Sequence, residues 1–514
     1  MSHLYRRDFL KFVSIITAGA FLPRSLTLIK GDDTTPNIII ILFDAMSARN
    51  MSLYGYPRET TPFISRFADR STVYHNHYSG GNFTTPGTAC MLTGMFQWKH
   101  RAFSIGGLVA SNLTSINPYT LLGDDYFRLM FSQNLYSDRI VGQYYRDVDR
   151  FLPLTSFSFR SDNMVMAKVG RDRSLASVAF DEFLFPLQIG IPASSVLGYI
   201  NKSINLRTIL SHENHPGYPR GVPEAENFFN YLNEDVYQGV LTEVLNLEKQ
   251  DKPYFAYFHL FSPHAPYKPG REFWKLFEDD GFKPPHKPMN PYTPGFTDDD
   301  LLDKRLRYDQ QIAHVDAEFG NLIEQLVLND VLEDSYIIVT SDHGEMFERG
   351  FFGHSGPLLY EPAVKIPLLI HSPGQVSRQD VLGLTSNVDL LPTILSITGK
   401  DIPSNLEGQI LPGFGGAENN QRPLFSMNAI ENSQFLPLTK AAISMHKDKY
   451  KLIAYLDYEE MDSNYEFYNL ENDLEELNNL TEADAPAFSK MKEEFLDHLA
   501  DANRPFLKSS QPED

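Results

Sequence analysis

The chain has 514 residues, 42% hydrophobic and 22% charged, and a formal net charge of −21 at pH 7. That length exceeds one simple core and suits a large α/β domain with a smaller partner. So acidic a balance argues against nucleic-acid binding through a basic groove, but it leaves an anionic substrate open, because a metal ion reverses the local field.

The chain begins with Arg6-Arg7-Asp8-Phe9-Leu10-Lys11 and a modest apolar run from Phe12 to Leu22. This pattern over residues 1–30 reads as a twin-arginine export signal; the other reading is an amphipathic N-terminal helix. The run is short for a membrane span, which needs about 20 residues. Ala18-x-Ala20 is a weak cleavage site, so an uncleaved anchor, and membrane association through it, stay open. The expected partner is the twin-arginine export machinery, and the expected location is the periplasm or cell surface. Cys90 is the sole cysteine, which rules out an internal disulfide and a thiolate metal cluster and fits folding in a reducing compartment before export.

Asn37 to Phe43 is continuously apolar and ends in Asp44. Runs without alternation suit a strand buried on both faces of a parallel sheet, and in such sheets sites lie beyond the carboxyl ends of the strands. A carboxylate there is costly unless it is paired or metal-bound, so Asp44 reads as a metal ligand or as a helix cap. Thr60-Thr61-Pro62 opens a short helix, and Thr72 to Tyr74 is strand-like. Gly80-Gly81 leads into Asn82-Phe83-Thr84-Thr85-Pro86 and a short apolar helix. Thr84 then stands at a helix N-terminus, which receives tetrahedral anions; it is a nucleophile or a plain N-cap. Residues from about 100 to 220 follow no usable pattern. Within them, 183–200 is apolar but broken by Pro186 and Pro192, which speaks against a membrane span.

A helix is expected from about Pro223 to Lys249, then a buried strand from Pro253 to Phe258 ending in His259 and His264. Tyr308, Ile312, Val315, Phe319, Leu322, Ile323 and Leu326 mark one face of a helix packed on the sheet. Tyr336 to Thr340 is a strand ending in Ser341-Asp342-His343-Gly344-Glu345, and His354 follows in a Gly-flanked loop. Val364 to His371 reads as a further strand interrupted by Pro367, and a helix starts near Thr385–Thr393. Beyond about 425, short strands (Ala442 to Met445, Tyr450 to Tyr455) and a charged helix near Ala485 to Ala500 indicate a small antiparallel sheet with a terminal helix.

Asp44, Thr84, Asp342 and His343 all fall at strand ends, which a parallel sheet gathers on one edge. Two carboxylates, an imidazole and a hydroxyl complete a four-coordinate site whose mixed O/N set suits Zn²⁺ or Mn²⁺ better than Ca²⁺ or Mg²⁺. His259, His264 and His354 can hold substrate oxygens or protonate a leaving group. One metal site is expected. A second around these three histidines is the alternative, disfavoured because the motifs show no carboxylate beside them.

The ordered set Phe43-Asp44, Thr84-x-Pro86 through Leu92-Thr93-Gly94, Pro263-His264-x-Pro266-Tyr267, Ser341-Asp342-His343-Gly344-Glu345 and Val388-Asp389-Leu390-Leu391-Pro392-Thr393 resembles the sulfatase branch of the alkaline phosphatase superfamily. The resemblance covers about residues 35–100 and 250–482. It implies a mostly parallel central sheet sandwiched by helices in a catalytic domain over 31–425, in which 100–220 is a divergent, pocket-shaping region. It also implies a C-terminal α+β subdomain over 426–514. Sulfatases of that branch carry Cys or Ser where this chain has Thr84, converted to formylglycine, and Arg where it has Thr88. Thr is a secondary alcohol and cannot give that aldehyde. The double acidic pair after the first strand is reduced here to Asp44-Ala45, and the position often occupied by Lys is His354. These departures resemble the Thr-nucleophile relatives: phosphodiesterases, phosphonate monoester hydrolase-like enzymes and phosphoethanolamine or phosphoglycerol transferases. The expectation is an exported, metal-dependent hydrolase of phosphoesters on small-molecule, lipid- or glycan-linked anionic substrates, with Thr84 as nucleophile. The alternatives are a sulfuric ester hydrolase without formylglycine, a transferase of those types, or a catalytically silent binding protein.

Overall fold

A computed structural model describes residues 35–158, 215–225, 229–459 and 463–507. The twin-arginine segment and the apolar stretch 183–200 lie outside the described residues. In chain order the strands are β1 (Asn37–Asp44), β2 (Thr72–Tyr78), β3 (Phe127–Ser132), β4 (Arg150–Leu152), β5 (Glu224–Ala225), β6 (Phe229–Asn230), β7 (Tyr254–Pro263) and β8 (Ser335–Ser341). After them come β9 (Met346–Glu348), β10 (Phe351–Gly353), β11 (Leu368–His371), β12 (Gln379–Ser386), β13 (Leu424–Asn428), β14 (Ala441–Lys447), β15 (Tyr450–Leu456) and β16 (Tyr465–Asn469).

Eight strands form one sheet in the order β12-β2-β11-β8-β1-β7-β3-β4. Only β11 runs against the rest, pairing antiparallel with β2 and with β8. The continuous apolar run of β1 is explained by burial on both faces. Ile39, Ile41 and Phe43 pack in one core with Phe319 and Leu322 of the long helix Asp298–Leu328, whereas Ile38, Ile40 and Leu42 pack in the other with Ala89, Leu92 and Ile394. The long helix starts at a capping box in which Thr297 and Asp300 satisfy each other's backbone N–H. Parallel register sets Leu42 opposite His259 and Phe43 opposite Ser341, so the carboxyl ends of β1, β7 and β8 converge on one edge.

β13 to β16 make a separate antiparallel sheet in sequence order. The terminal helix Ala485–Leu507 packs Met491 and Phe495 against it.

Three expectations are corrected. The helix after Pro223 spans only Asn233–Leu247; before it the chain forms the β5–β6 hairpin, closed where the Tyr231 N–H donates to the Pro223 carbonyl at 3.2 Å. Val364 to His371 is not one strand: Glu361–Val364 is a helical turn, and Pro367, lacking an N–H, defers β11 to Leu368. The stretch beyond 100, unreadable as sequence, contributes β3 and β4 to the main sheet.

Candidate active site

Thr84 is the first residue of the helix Thr84–Thr93 and is 4% exposed. Its Oγ1 lies 3.3 Å from His343 Nε2 and accepts from Asn134 Nδ2 at 3.2 Å. Asp44 ends β1, and Asp342 and His343 follow β8; all three are fully buried. The backbone bends to bring them together. Ala45 has φ of 61°, a left-handed conformation that strains a residue with a Cβ. It is held there by its N–H on Asp342 Oδ1 at 3.2 Å and by the Tyr308 hydroxyl on its carbonyl at 2.6 Å. On the opposite side, a Cβ at Gly87 would stand 2.3 Å from the Asp342 carbonyl oxygen, so only glycine lets the Thr84 helix approach this turn.

His343 Nδ1–H donates to the Gly344 carbonyl at 2.9 Å, which aims the Nε2 lone pair at the carboxylates, 3.5 Å from Asp44 Oδ1 and 3.5 Å from Asp342 Oδ2. One ligand atom from each of Asp44, Asp342 and His343 lies within 4.8 Å of the others. Asp44 Oδ1 and Asp342 Oδ2 are buried without a hydrogen-bond partner, an arrangement costly for carboxylates unless a cation is shared between them. Burial pushes the Asp44 carboxyl up, but His264, His259 and His343 outweigh it and hold it well below the usual range. Burial likewise disfavours the charged imidazole of His343, yet Asp342 and Asp44 lift it to about 9, so with no cation between them Nε2 holds a proton that a bound cation would displace. These donors fit a divalent cation, with the Thr84 hydroxyl at its edge.

His264 and His354 form the next layer. Their rings are 5.1 Å apart, and His354 lies 4.2 Å from His343. His264 Nδ1–H donates to the Ala265 carbonyl at 2.7 Å. His354 Nδ1 meets Glu345 Oε1 at 3.1 Å. Burial lowers the His354 pKa and Glu345 works against that. Glu345 is thus a carboxylate beside the outer histidines that the motifs did not reveal, yet Asp44, Asp342 and His343 are the one three-ligand group among the described residues. His259 is not in the outer layer: its Nε2 lies 3.4 Å from Asp44 Oδ2 and 3.8 Å from Asp342 Oδ2.

Asn134 was missed. It follows β3, donates from Nδ2 to Asp44 Oδ2 at 2.6 Å as well as to Thr84, and caps the helix Leu135–Gly142 through Oδ1. The available signal is weak: Leu129-Met130-Phe131 is a short apolar run ending in the polar Ser132-Gln133-Asn134, but Arg128 interrupts it on the N-terminal side, unlike the long run that ends in Asp44.

A mostly parallel sheet with a helix N-terminus and buried carboxylates at the carboxyl edge of its strands defines the alkaline phosphatase-like class. Residues 36–150 and 193–400 match the sulfatase family model, and residues 347–504 match the C-terminal model of N-sulphoglucosamine sulphohydrolase. The chain belongs to the sulfatase family. It is 29% identical over 480 residues to a choline-sulfatase of Rhizobium meliloti, covering 87% of this chain and 82% of that protein. It is 23% identical to the human N-acetylgalactosamine-6-sulfatase, covering 77% of this chain and 69% of that one. Among solved structures it resembles the phosphonate monoester hydrolase of Agrobacterium radiobacter with a TM-score of 0.64, covering 91% of this chain and 96% of that one; at 18% identity this likeness is one of fold.

Proposed function

We propose that the protein is an exported, metal-dependent hydrolase that cleaves phosphoesters through a covalent phospho-threonine on Thr84. The observation that carries this reading is the Thr84 hydroxyl, held at a helix N-terminus between His343 and Asn134 beside two buried carboxylates. A secondary alcohol has no route to formylglycine, so Thr84 acts with the oxygen it has. With its proton released to water, Thr84 Oγ1 attacks phosphorus in line, forming the new P–O bond while the ester P–O bond breaks and the alcohol leaves. His264 and His354 face the site from the next layer, suited to bind the non-bridging oxygens or to give the departing alcohol its proton. Water then cleaves the phospho-threonine and returns the hydroxyl. A divalent cation bound by Asp44, Asp342 and His343 would lower the hydroxyl pKa and offset the charge of the anion.

A sulfuric ester hydrolase using unmodified Thr84 is the second reading, favoured by relatives that are sulfatases by name. Sulfate and phosphate share one tetrahedral shape, so the fold does not separate them. Export rests on the Arg6-Arg7 segment. No helix among the described residues is long and apolar enough to cross a membrane. The test is an acid quench during turnover of an aryl phosphate, followed by peptide mass analysis. A phosphoryl group on Thr84, absent in Thr84→Ala together with activity, is expected. Full activity in Thr84→Ala would remove the nucleophile.

A further inference from the structure

We infer that His259 is a ligand of the metal itself, a second imidazole that makes the protein's ligand set two carboxylates and two histidines. The inference rests on the metal reading of this site. His259 projects from β7, the strand beside β1, and its side chain is wholly buried. Its Nε2 has no hydrogen-bond partner. That atom is 3.4 Å from Asp44 Oδ2 and 3.8 Å from Asp342 Oδ2. Both separations exceed the roughly 2.7–3.2 Å of an N–H···O hydrogen bond. Each matches the spacing of two atoms that ligate one cation at about 2.0–2.2 Å, roughly 3–4 Å apart; His259 stands just outside the mutual group of Asp44, Asp342 and His343, and a bound cation would draw its Nε2 in. Asp44 Oδ2 already accepts a close bond from Asn134 at 2.6 Å.

The other ring nitrogen supports the same assignment. His259 Nδ1 lies 3.1 Å from the Tyr257 hydroxyl, which in turn has Ser137 Oγ at 3.5 Å. A His259 Nδ1–H donating to the Tyr257 hydroxyl is the tautomer that leaves the Nε2 lone pair free, and it is the one this assignment requires. The Nε2 lone pair then faces two carboxylates, an arrangement that a shared cation makes favourable, and the Nδ1–H···O bond is the outer partner that metal-bound histidines use to fix their tautomer. The chemical consequence is selectivity. The chain has Ala45 directly after Asp44, so no second carboxylate follows there, and nitrogen enters from the neighbouring strand. A site with two imidazoles prefers Zn²⁺, Mn²⁺ or other borderline cations over Ca²⁺ and Mg²⁺.

The experiment is pulsed EPR on the full-length protein loaded with Mn²⁺, counting coordinated imidazole nitrogens, with metal affinity measured by titration. Two coordinated imidazoles are expected in the wild type and one in His259→Ala, with Mn²⁺ affinity falling about 100-fold or more. The wild-type count needs no variant, so a failure of His259→Ala to fold leaves it decisive. One coordinated imidazole in the wild type, or an unchanged count in His259→Ala, overturns the inference while leaving the metal site standing. No Mn²⁺ bound by the wild type, with no other divalent cation bound either, overturns both.

Discussion

Asn134 joins the Thr84 hydroxyl and the Asp44 carboxylate through one amide nitrogen, and that places a prediction at the scale of a single side chain. Its Oδ1 accepts from the Tyr136 N–H at 2.7 Å while Nδ2 serves Asp44 and Thr84. The two ends are separable by substitution. Asn134→Asp keeps an acceptor for the helix cap but loses the donor; Asn134→Ala loses both. Loss of a hydrogen bond to a charged group costs about 1.5–3 kcal/mol, so kcat/KM falls roughly 10- to 100-fold in each. Asn134→Ala also loses about 1 kcal/mol of stability with the cap, whereas Asn134→Asp keeps the cap but sets a further carboxylate against Asp44. Steady-state kinetics beside thermal unfolding checks both, and activity within twofold of wild type in both variants would deny Asn134 a part in positioning Thr84.

At the scale of elements, the long helix Asp298–Leu328 is more than a cover for the sheet. Its buried Asp316 accepts the Phe63 and Ile64 N–H groups, each at 2.8 Å, and so satisfies the first turn of the helix Pro62–Ala68. Burial outweighs those bonds and pushes the Asp316 carboxyl up to about 7. The sign follows from linkage. The folded state holds this proton to higher pH than the unfolded chain, whose Asp titrates near 4. The contribution is therefore fully present below about pH 4 and is lost as pH rises through about 7. Asp316→Asn stays neutral throughout, so wild-type stability measured against Asp316→Asn falls across that window. A difference in unfolding free energy that stays flat from pH 4 to 7 contradicts the burial argument.

At the scale of the whole molecule, the sequence was most legible where burial leaves a simple mark. Continuous apolar runs located β1, β7 and β8, because strands covered on both faces cannot alternate, and a charged residue closing such a run identified Asp44 and Asp342. The remainder depended on register and on contacts distant in sequence. The place of His259 among the three histidines is not legible in the sequence, because nothing in the chain states that Leu42 lies opposite it. Asn134 was hidden in a stretch whose strand β3 is short and pairs far away in sequence with β7. Glu345 showed its place only once β9 and β10 had folded back and set His354 beside it. β12 escaped notice because it is an edge strand, partly exposed and interrupted by Gly383.

Membership of the sulfatase family and the proposed use of unmodified Thr84 as nucleophile point to different esters, and substrate turnover decides between them. The direct measurement is kcat/KM on an aryl phosphate, a diaryl phosphate and an aryl sulfate, by enzyme loaded with Mn²⁺ or Zn²⁺ whose Thr84 is shown by peptide mass to be unmodified. The better phosphorus ester is expected to exceed the sulfate by at least about tenfold, a difference of about 1.4 kcal/mol in transition-state stabilisation. Turnover dominated by the aryl sulfate would contradict it.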